Sequence, residues 1–63
     1  MFDLREFRWV YRLSQKDIAT ILNVSVQAIS QWELNKRQMP FDKIVKLTEH
    51  FKADINAFIM KNK

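Results

Sequence analysis

Residues 14–32 read SQKDIATILNVSVQAISQW, and this stretch decides the fold. Ser14, followed three residues later by Asp17, forms a capping box, which marks the start of a helix. An apolar stripe at helical spacing comes after it, made of Ile18, Ile21 and Leu22. We therefore predict a helix of about two turns over residues 15–22.

A three-residue turn separates this helix from the next one. Asn23 tolerates the left-handed conformation at a helix end, Val24 can point inward, and Ser25 can cap the next helix. We predict that helix over residues 26–34, with Asn35 in the left-handed conformation after it. Because the chain has no glycine, we expect asparagine to fill this position at both helix ends.

Helical periodicity continues on both sides of this pair. Asp3 and Glu6 form a second capping box, ahead of a helix predicted over residues 4–12. Pro40 suits the first turn of a helix that we predict to reach about Lys52. Its apolar face is broad.

Asp54 can cap a final short helix that carries Ile55, Phe58 and Ile59. Nothing in the chain alternates like a strand for long. We therefore expect an all-α fold of five helices, in a single domain over residues 1–63.

The two tryptophans differ in their expected burial. Trp32 should belong to the core, where it fixes the crossing of the second and third helices together with small Ala19 and with Ile29. Trp9 lies off the apolar stripe of the first helix, so partial burial against the last helix and contact with a partner both remain open.

The composition excludes several classes of function. The chain is 48% hydrophobic, with no cysteine and a single histidine, so disulfides, thiolate metal sites and imidazole clusters are excluded. The longest apolar run, 57–60, is far shorter than the roughly 20 residues of a membrane span, and no signal peptide opens the chain. No second catalytic group accompanies His50. We expect a cytoplasmic protein without enzymatic activity, cofactor, metal or small-molecule substrate.

The net charge of +4 favours a polyanionic partner. Seven of the eleven Lys and Arg residues lie from residue 34 onward, against three acidic residues there. The excess positive charge therefore lies in the second half of the chain.

Several ordered motifs carry a resemblance to a known family. LSQKDIA at 13–19, NVS at 23–25, ISQWE at 29–33 and NKRQMP at 35–40 resemble the helix-turn-helix family of phage Cro and repressor proteins, the XRE-type, lambda-repressor-like DNA-binding domains. The resemblance covers about residues 8–60. The family usually has glycine where this chain has Asn23 and Asn35, and asparagine is the least costly substitute in a left-handed position.

The resemblance implies a regulator that occupies double-stranded operator DNA, with the start of the third helix in the major groove. On that basis the base-contacting residues are Val26, Gln27, Ser30 and Gln31. The phosphate-contacting residues are Gln15, Lys16, Ser25, Lys36, Arg37 and Gln38. The resemblance also implies a structural ion pair between Arg8 and Glu33.

The outward residues of the third helix favour A·T contacts. Glutamine suits bidentate contact with adenine N6 and N7, and Val26 can pack on a thymine methyl group. No arginine lies on this face, which weakens a case for recognition led by guanine.

Two alternatives remain open at this stage. The final segment either packs within the domain or presents a homodimer contact through Phe58, Ile59 and Met60, which would suit two half-sites about 34 Å apart. The same fold could instead serve as a protein-interaction module, such as an antitoxin or adaptor. The regulator would act in the cytoplasm of a bacterial or phage-infected cell.

Overall fold

The computed structural model describes residues 1–60. In this range four α-helices are followed by a 3₁₀ turn: α1 Leu4–Val10, α2 Gln15–Leu22, α3 Val26–Glu33, α4 Phe41–His50 and the turn Ile55–Phe58. The predicted all-α class is confirmed, and α2 and α3 form the expected helical pair. The only β pairing in this range is an isolated antiparallel bridge between Phe2 and Ile59.

The helix ends differ from the predicted ones. α1 stops at Val10 instead of reaching 12, α3 stops one residue early at Glu33, and α4 covers 41–50 instead of 40–52. Pro40 lies just outside α4, because its ψ of 142° is extended rather than helical. The predicted fifth helix is a 3₁₀ turn of four residues, a length typical of such turns.

Each α-helix ends in a Schellman motif, in which a left-handed residue is followed by an amide that donates to the carbonyl five residues before it. The left-handed residues are Arg12, Asn23, Asn35 and Lys52, with φ of 56°, 58°, 60° and 53°. The closing bonds are Leu13 to Arg8, Val24 to Ala19, Lys36 to Gln31 and Ala53 to Thr48, at 2.9, 3.0, 2.9 and 2.8 Å. These motifs explain why the helices end where they do.

Two helix starts use the predicted capping residues in different ways. Ser14 and Asp17 bond reciprocally, at 3.0 and 2.9 Å, and form the predicted capping box. The backbone amide of Ser14, and then its side chain, hold the pKa of the Asp17 carboxyl below its ordinary value. Asp3 caps α1 through the amide of Glu6, but its own amide donates to the carbonyl of Phe58 at 2.6 Å. The second capping box is therefore only half formed.

The core is aromatic at its centre. Phe7 is fully buried, and its ring centroid lies 4.6 Å from that of Tyr11, 4.9 Å from Phe58, 5.6 Å from Phe51 and 5.7 Å from Phe2. The 3₁₀ turn packs against α1 and α4. Phe58 is thus an internal core residue with 8% exposure, and its prediction as a dimer contact is wrong.

Trp32 lies nearer the surface than expected, and Trp9 is largely exposed. Trp32 is half-buried and packs at the edge of the core rather than inside it. Trp9 is 77% exposed, so it is not covered by the last turn of the chain. No helix within residues 1–60 has the length and apolar character that crossing a membrane requires.

Candidate nucleic-acid interface

The turn between α2 and α3 is held by buried residues on both helices. Ala19 is 5% exposed, and Ile18, Leu22 and Ile29 are completely buried. The small side chain of Ala19 leaves room for α3 to approach, as the sequence predicted. Val24 closes the Schellman motif of α2 and packs against the core. The orientation of α3 is therefore fixed by packing.

The side of α3 opposite Ile29 is accessible. Gln27 is exposed and Val26 is 43% exposed, while Ser30 and Gln31 are half-exposed. The four residues predicted to contact bases thus share an accessible side of one rigid helix. Their side chains offer amide, hydroxyl and methyl groups, which are the groups that read base edges in a major groove.

The start of α3 is capped by Ser25. Its hydroxyl oxygen accepts from the amide of Ala28 at 3.1 Å. The hydroxyl hydrogen is still able to donate, because a serine hydroxyl is both acceptor and donor. Ser25 is exposed, so this donor is available to an anion.

Exposed polar and cationic residues lie on both sides of α3 in the chain. Lys16 lies in the first turn of α2, and Lys36, Arg37 and Gln38 form the loop after α3; all four are exposed. In each Schellman motif, one residue directly follows the left-handed residue. After α1, α2 and α4 this residue is apolar and half-buried: it is Leu13, Val24 and Ala53, respectively.

Lys36 is the exception to this pattern. An apolar residue at this position normally packs back on its helix, and the three apolar residues do pack against the core. The exposed lysine after α3 gives up that contact. The result is an exposed cation in the loop that directly follows α3.

A polar network joins the first three helices. The Arg8 guanidinium donates to the two carboxylate oxygens of Glu33 at 2.7 and 3.4 Å, and the Gln15 amide donates to the same carboxylate at 3.0 Å. The Glu33 side chain is only 5% exposed. No buried side-chain nitrogen or oxygen within residues 1–60 lacks a hydrogen-bond partner, and both oxygens of the Glu33 carboxylate accept hydrogen bonds.

Two contacts of the predicted phosphate-binding residues are not evident from the sequence. Gln15, predicted only as a phosphate contact, bonds Glu33 through one of its amide hydrogens. Arg37, also predicted as a phosphate contact, donates from Nη1 to Oε1 of Gln31 at 3.5 Å. Neither pair, at separations of 18 and 6 residues, follows a helical or strand spacing that would have indicated contact.

A capped helix clamped on a second short helix, with an accessible polar side between cationic segments, defines a helix-turn-helix DNA-binding protein. The sequence model of a family described as helix-turn-helix matches residues 11–58, well over half of the chain. The chain therefore belongs to the XRE-type, lambda repressor/Cro-like helix-turn-helix family. This is a DNA-binding regulatory family and is generally non-enzymatic. A search of curated proteins finds no significant match.

Proposed function

We propose that this protein is a Cro- or repressor-type transcriptional regulator that recognises operator DNA by sequence. The accessible polar side of α3 carries the proposal: Gln27 is exposed and Gln31 half-exposed on a helix whose opposite side is anchored by fully buried Ile29. A major groove about 12 Å wide admits one α-helix. Occupancy of the operator would exclude polymerase or a competing regulator, with no chemistry by the protein itself.

Base reading in this proposal belongs to four residues of α3. Gln27 is exposed and can pair with an adenine edge, and Val26, 43% exposed, can pack on a thymine methyl group. Ser30 and Gln31 lie one turn further along and reach neighbouring bases.

Phosphate binding belongs to the segments before and after these residues. Lys16, Lys36 and Arg37 supply exposed charge. Gln15 retains its second amide hydrogen after bonding Glu33, and Ser25 retains its hydroxyl hydrogen after capping α3. Gln38 is exposed beside Arg37. Such contacts set affinity and register rather than sequence preference.

We also propose that two copies pair on the operator, through a groove that carries Met1, Phe41 and Ile59 on its surface. These side chains are 62%, 70% and 39% exposed. Most side chains that line the groove are apolar, and Arg37 is the one charged side chain among the described lining residues. Arg37 and Gln38 line one part of it and belong to the phosphate-contacting set, so the pairing surface is the apolar part that carries Met1, Phe41 and Ile59. An apolar surface on a domain of net charge +4 suits a second copy of the chain better than it suits DNA or an acidic partner.

Selection from a pool of randomised DNA duplexes, at two salt concentrations, tests this function. We expect enrichment of one defined motif and a steep loss of affinity with salt, because released counterions accompany phosphate contacts. Binding without any enriched motif would overturn the proposal and favour a protein-interaction module of the same fold.

Two exposed glutamines give a matched pair of variants for the same assay. Gln27→Ala should lose about 1–3 kcal/mol of binding free energy at the selected site and almost none on unrelated DNA. Gln38→Ala should lose the same small amount on both, because a phosphate contact is independent of sequence. Equal losses for Gln27→Ala on both duplexes would contradict base reading by this residue.

A further inference from the structure

Gln31 and Arg37 are held against each other by the backbone. Gln31 lies in the last turns of α3, and its carbonyl accepts from the amides of Lys36 at 2.9 Å and Arg37 at 3.4 Å. Asn35, with φ of 60°, turns the chain back to make these bonds. The backbone of Arg37 is therefore held next to the turn of α3 that carries Gln31.

The side chains of the same two residues are also in contact. Nη1 of Arg37 donates to Oε1 of Gln31 at 3.5 Å. A guanidinium has donors only, whereas an amide has one acceptor oxygen and two donor hydrogens on nitrogen. The contact can form only with the amide oxygen turned toward Arg37, so it selects one of the two amide orientations.

We infer that Arg37 is a positioning residue that sets the base preference of Gln31, which rests on the proposed function of α3 in the major groove. With its oxygen turned toward Arg37, Gln31 directs its NH2 group, and with it the two N–H donors, toward the groove. Donors match a keto base, guanine through O6 and N7 or thymine through O4. Adenine presents an acceptor at N7 but beside it the N6 amine, and cytosine presents the N4 amine. These amines are donors, and they find no acceptor on an amide whose oxygen is turned away from the groove.

This inference separates the two glutamines of the interface. The general pairing of glutamine with adenine requires that the oxygen and an N–H of the same amide both face the base. Within residues 1–60 the side chain of Gln27 has no hydrogen bond that fixes the orientation of its amide, and it is exposed. Gln31 is half-exposed and joined to Arg37. The first glutamine therefore reads adenine and the second reads a keto base.

Arg37→Ala, compared with Lys36→Ala, tests the inference. Both variants remove one exposed cation from the same loop, but within residues 1–60 the side chain of Gln31 is hydrogen-bonded by Arg37 and not by Lys36. Binding to duplexes that carry each of the four base pairs at every position of the selected site would be measured, at protein concentrations that give each variant the same overall occupancy.

We expect the wild-type protein to prefer a keto base to adenine at one position by roughly fivefold or more. Arg37→Ala should reduce that ratio at least about threefold in favour of adenine, because the released amide can present oxygen and N–H together. Lys36→Ala should weaken all duplexes alike and leave the ratio unchanged.

A double variant shows whether Arg37 acts through Gln31. On a Gln31→Ala background, Arg37→Ala should no longer change base preference at any position. An Arg37→Ala profile identical to that of the wild type, or a shift that persists without Gln31, would overturn the inference while the regulator function stands. Absence of any selected motif for the wild type would instead overturn the proposed function, and this inference with it.

Discussion

Arg12 and Lys52 adopt a backbone conformation that is unusual for their residue types. Their φ values of 56° and 53° lie in the left-handed region, where a side chain costs about 1–2 kcal/mol relative to the right-handed one. The hydrogen bonds of the Schellman motifs at these positions offset that cost. A residue without a Cβ would keep the bonds and avoid the steric penalty.

Lys52→Gly should therefore stabilise the protein by about 0.5–1 kcal/mol, since part of the relieved strain is offset by the greater freedom of glycine in the unfolded chain. Urea unfolding measures the change. Lys46→Gly is the matched control, because Lys46 is an exposed lysine inside α4, and glycine there should cost about 1 kcal/mol. Destabilisation by Lys52→Gly equal to that of the control would refute the argument.

These four helix ends show how far residue type alone predicts backbone conformation. Asparagine tolerates the left-handed region, which predicts this conformation for Asn23 and Asn35, and both adopt it. Arg12 and Lys52 carry no such signal, so the predicted helices around them run on to 12 and 52. The information lies in the apolar residues after them, Leu13 and Ala53, which close the motifs from the core side.

At the scale of helices, the network around Glu33 joins α1, α2 and α3. The isolated helices, at seven or eight residues each, are too short to be stable alone. Arg8 is 31% exposed and reaches the carboxylate of Glu33 from α1, while Gln15 reaches it from α2. The position of α3 thus depends on the buried Glu33 carboxylate, whose counter-charge is Arg8 of α1.

We expect Arg8→Met to destabilise the protein by about 2–3 kcal/mol, because it leaves the buried Glu33 carboxylate without its counter-charge. The double variant Arg8→Met with Glu33→Met should recover most of that loss, since an apolar pair of similar size removes the unpaired charge. Arg5→Met, at an exposed position of α1, should change stability by less than about 0.5 kcal/mol.

A denaturant double-mutant cycle measures all of these changes. A loss for Arg8→Met no larger than that for Arg5→Met would mean that the ion pair adds nothing to the docking of α1. A double variant less stable than Arg8→Met alone would show that Glu33 contributes through a contact other than this pair.

Sequence patterns predicted the centre of each helix better than the role of the last segment. The apolar stripes of α2 and α3 have a period that only a helix satisfies, and their capping residues are local signals. Ile55, Phe58 and Ile59 fit the same period, but residues 55–58 form a 3₁₀ turn. The amides of Asp3 and Met60 bond Phe58 and Met1 across the chain ends, and such long-range pairing leaves no periodic signal.

The candidate site was predictable to the same extent and for the same reason. Helical periodicity places Gln27 and Gln31 away from Ile29, and the structure leaves both accessible. The bond from Arg37 to Gln31 and the bond from Gln15 to Glu33 depend on how separate segments meet. No sequence pattern indicates these bonds, and each of them engages one polar group of a glutamine, an amide hydrogen of Gln15 and the amide oxygen of Gln31.

The whole molecule exposes 4698 Å² and has apolar side chains on its surface that its own core does not cover. A standard interface buries about 800 Å² per partner, which is a large share of this surface. We expect a contact formed by a few apolar side chains to bury less than that. Pairing through Met1, Phe41 and Ile59 is therefore expected to be weak in solution. DNA with two half-sites raises the effective concentration of one copy beside the other.

Phe41→Ala should accordingly bind a single half-site as the wild type does, but lose cooperative binding to a duplex with two half-sites about 34 Å apart. Gel mobility on the two duplexes measures the difference. Trp9→Ala is the control, because Trp9 is an equally exposed aromatic residue, at 77% against 70% for Phe41, and does not line this groove. Unchanged cooperativity in Phe41→Ala would show that the apolar groove does not join the two copies. Loss of cooperativity in Trp9→Ala alone would show that the copies pair through the surface around Trp9 instead.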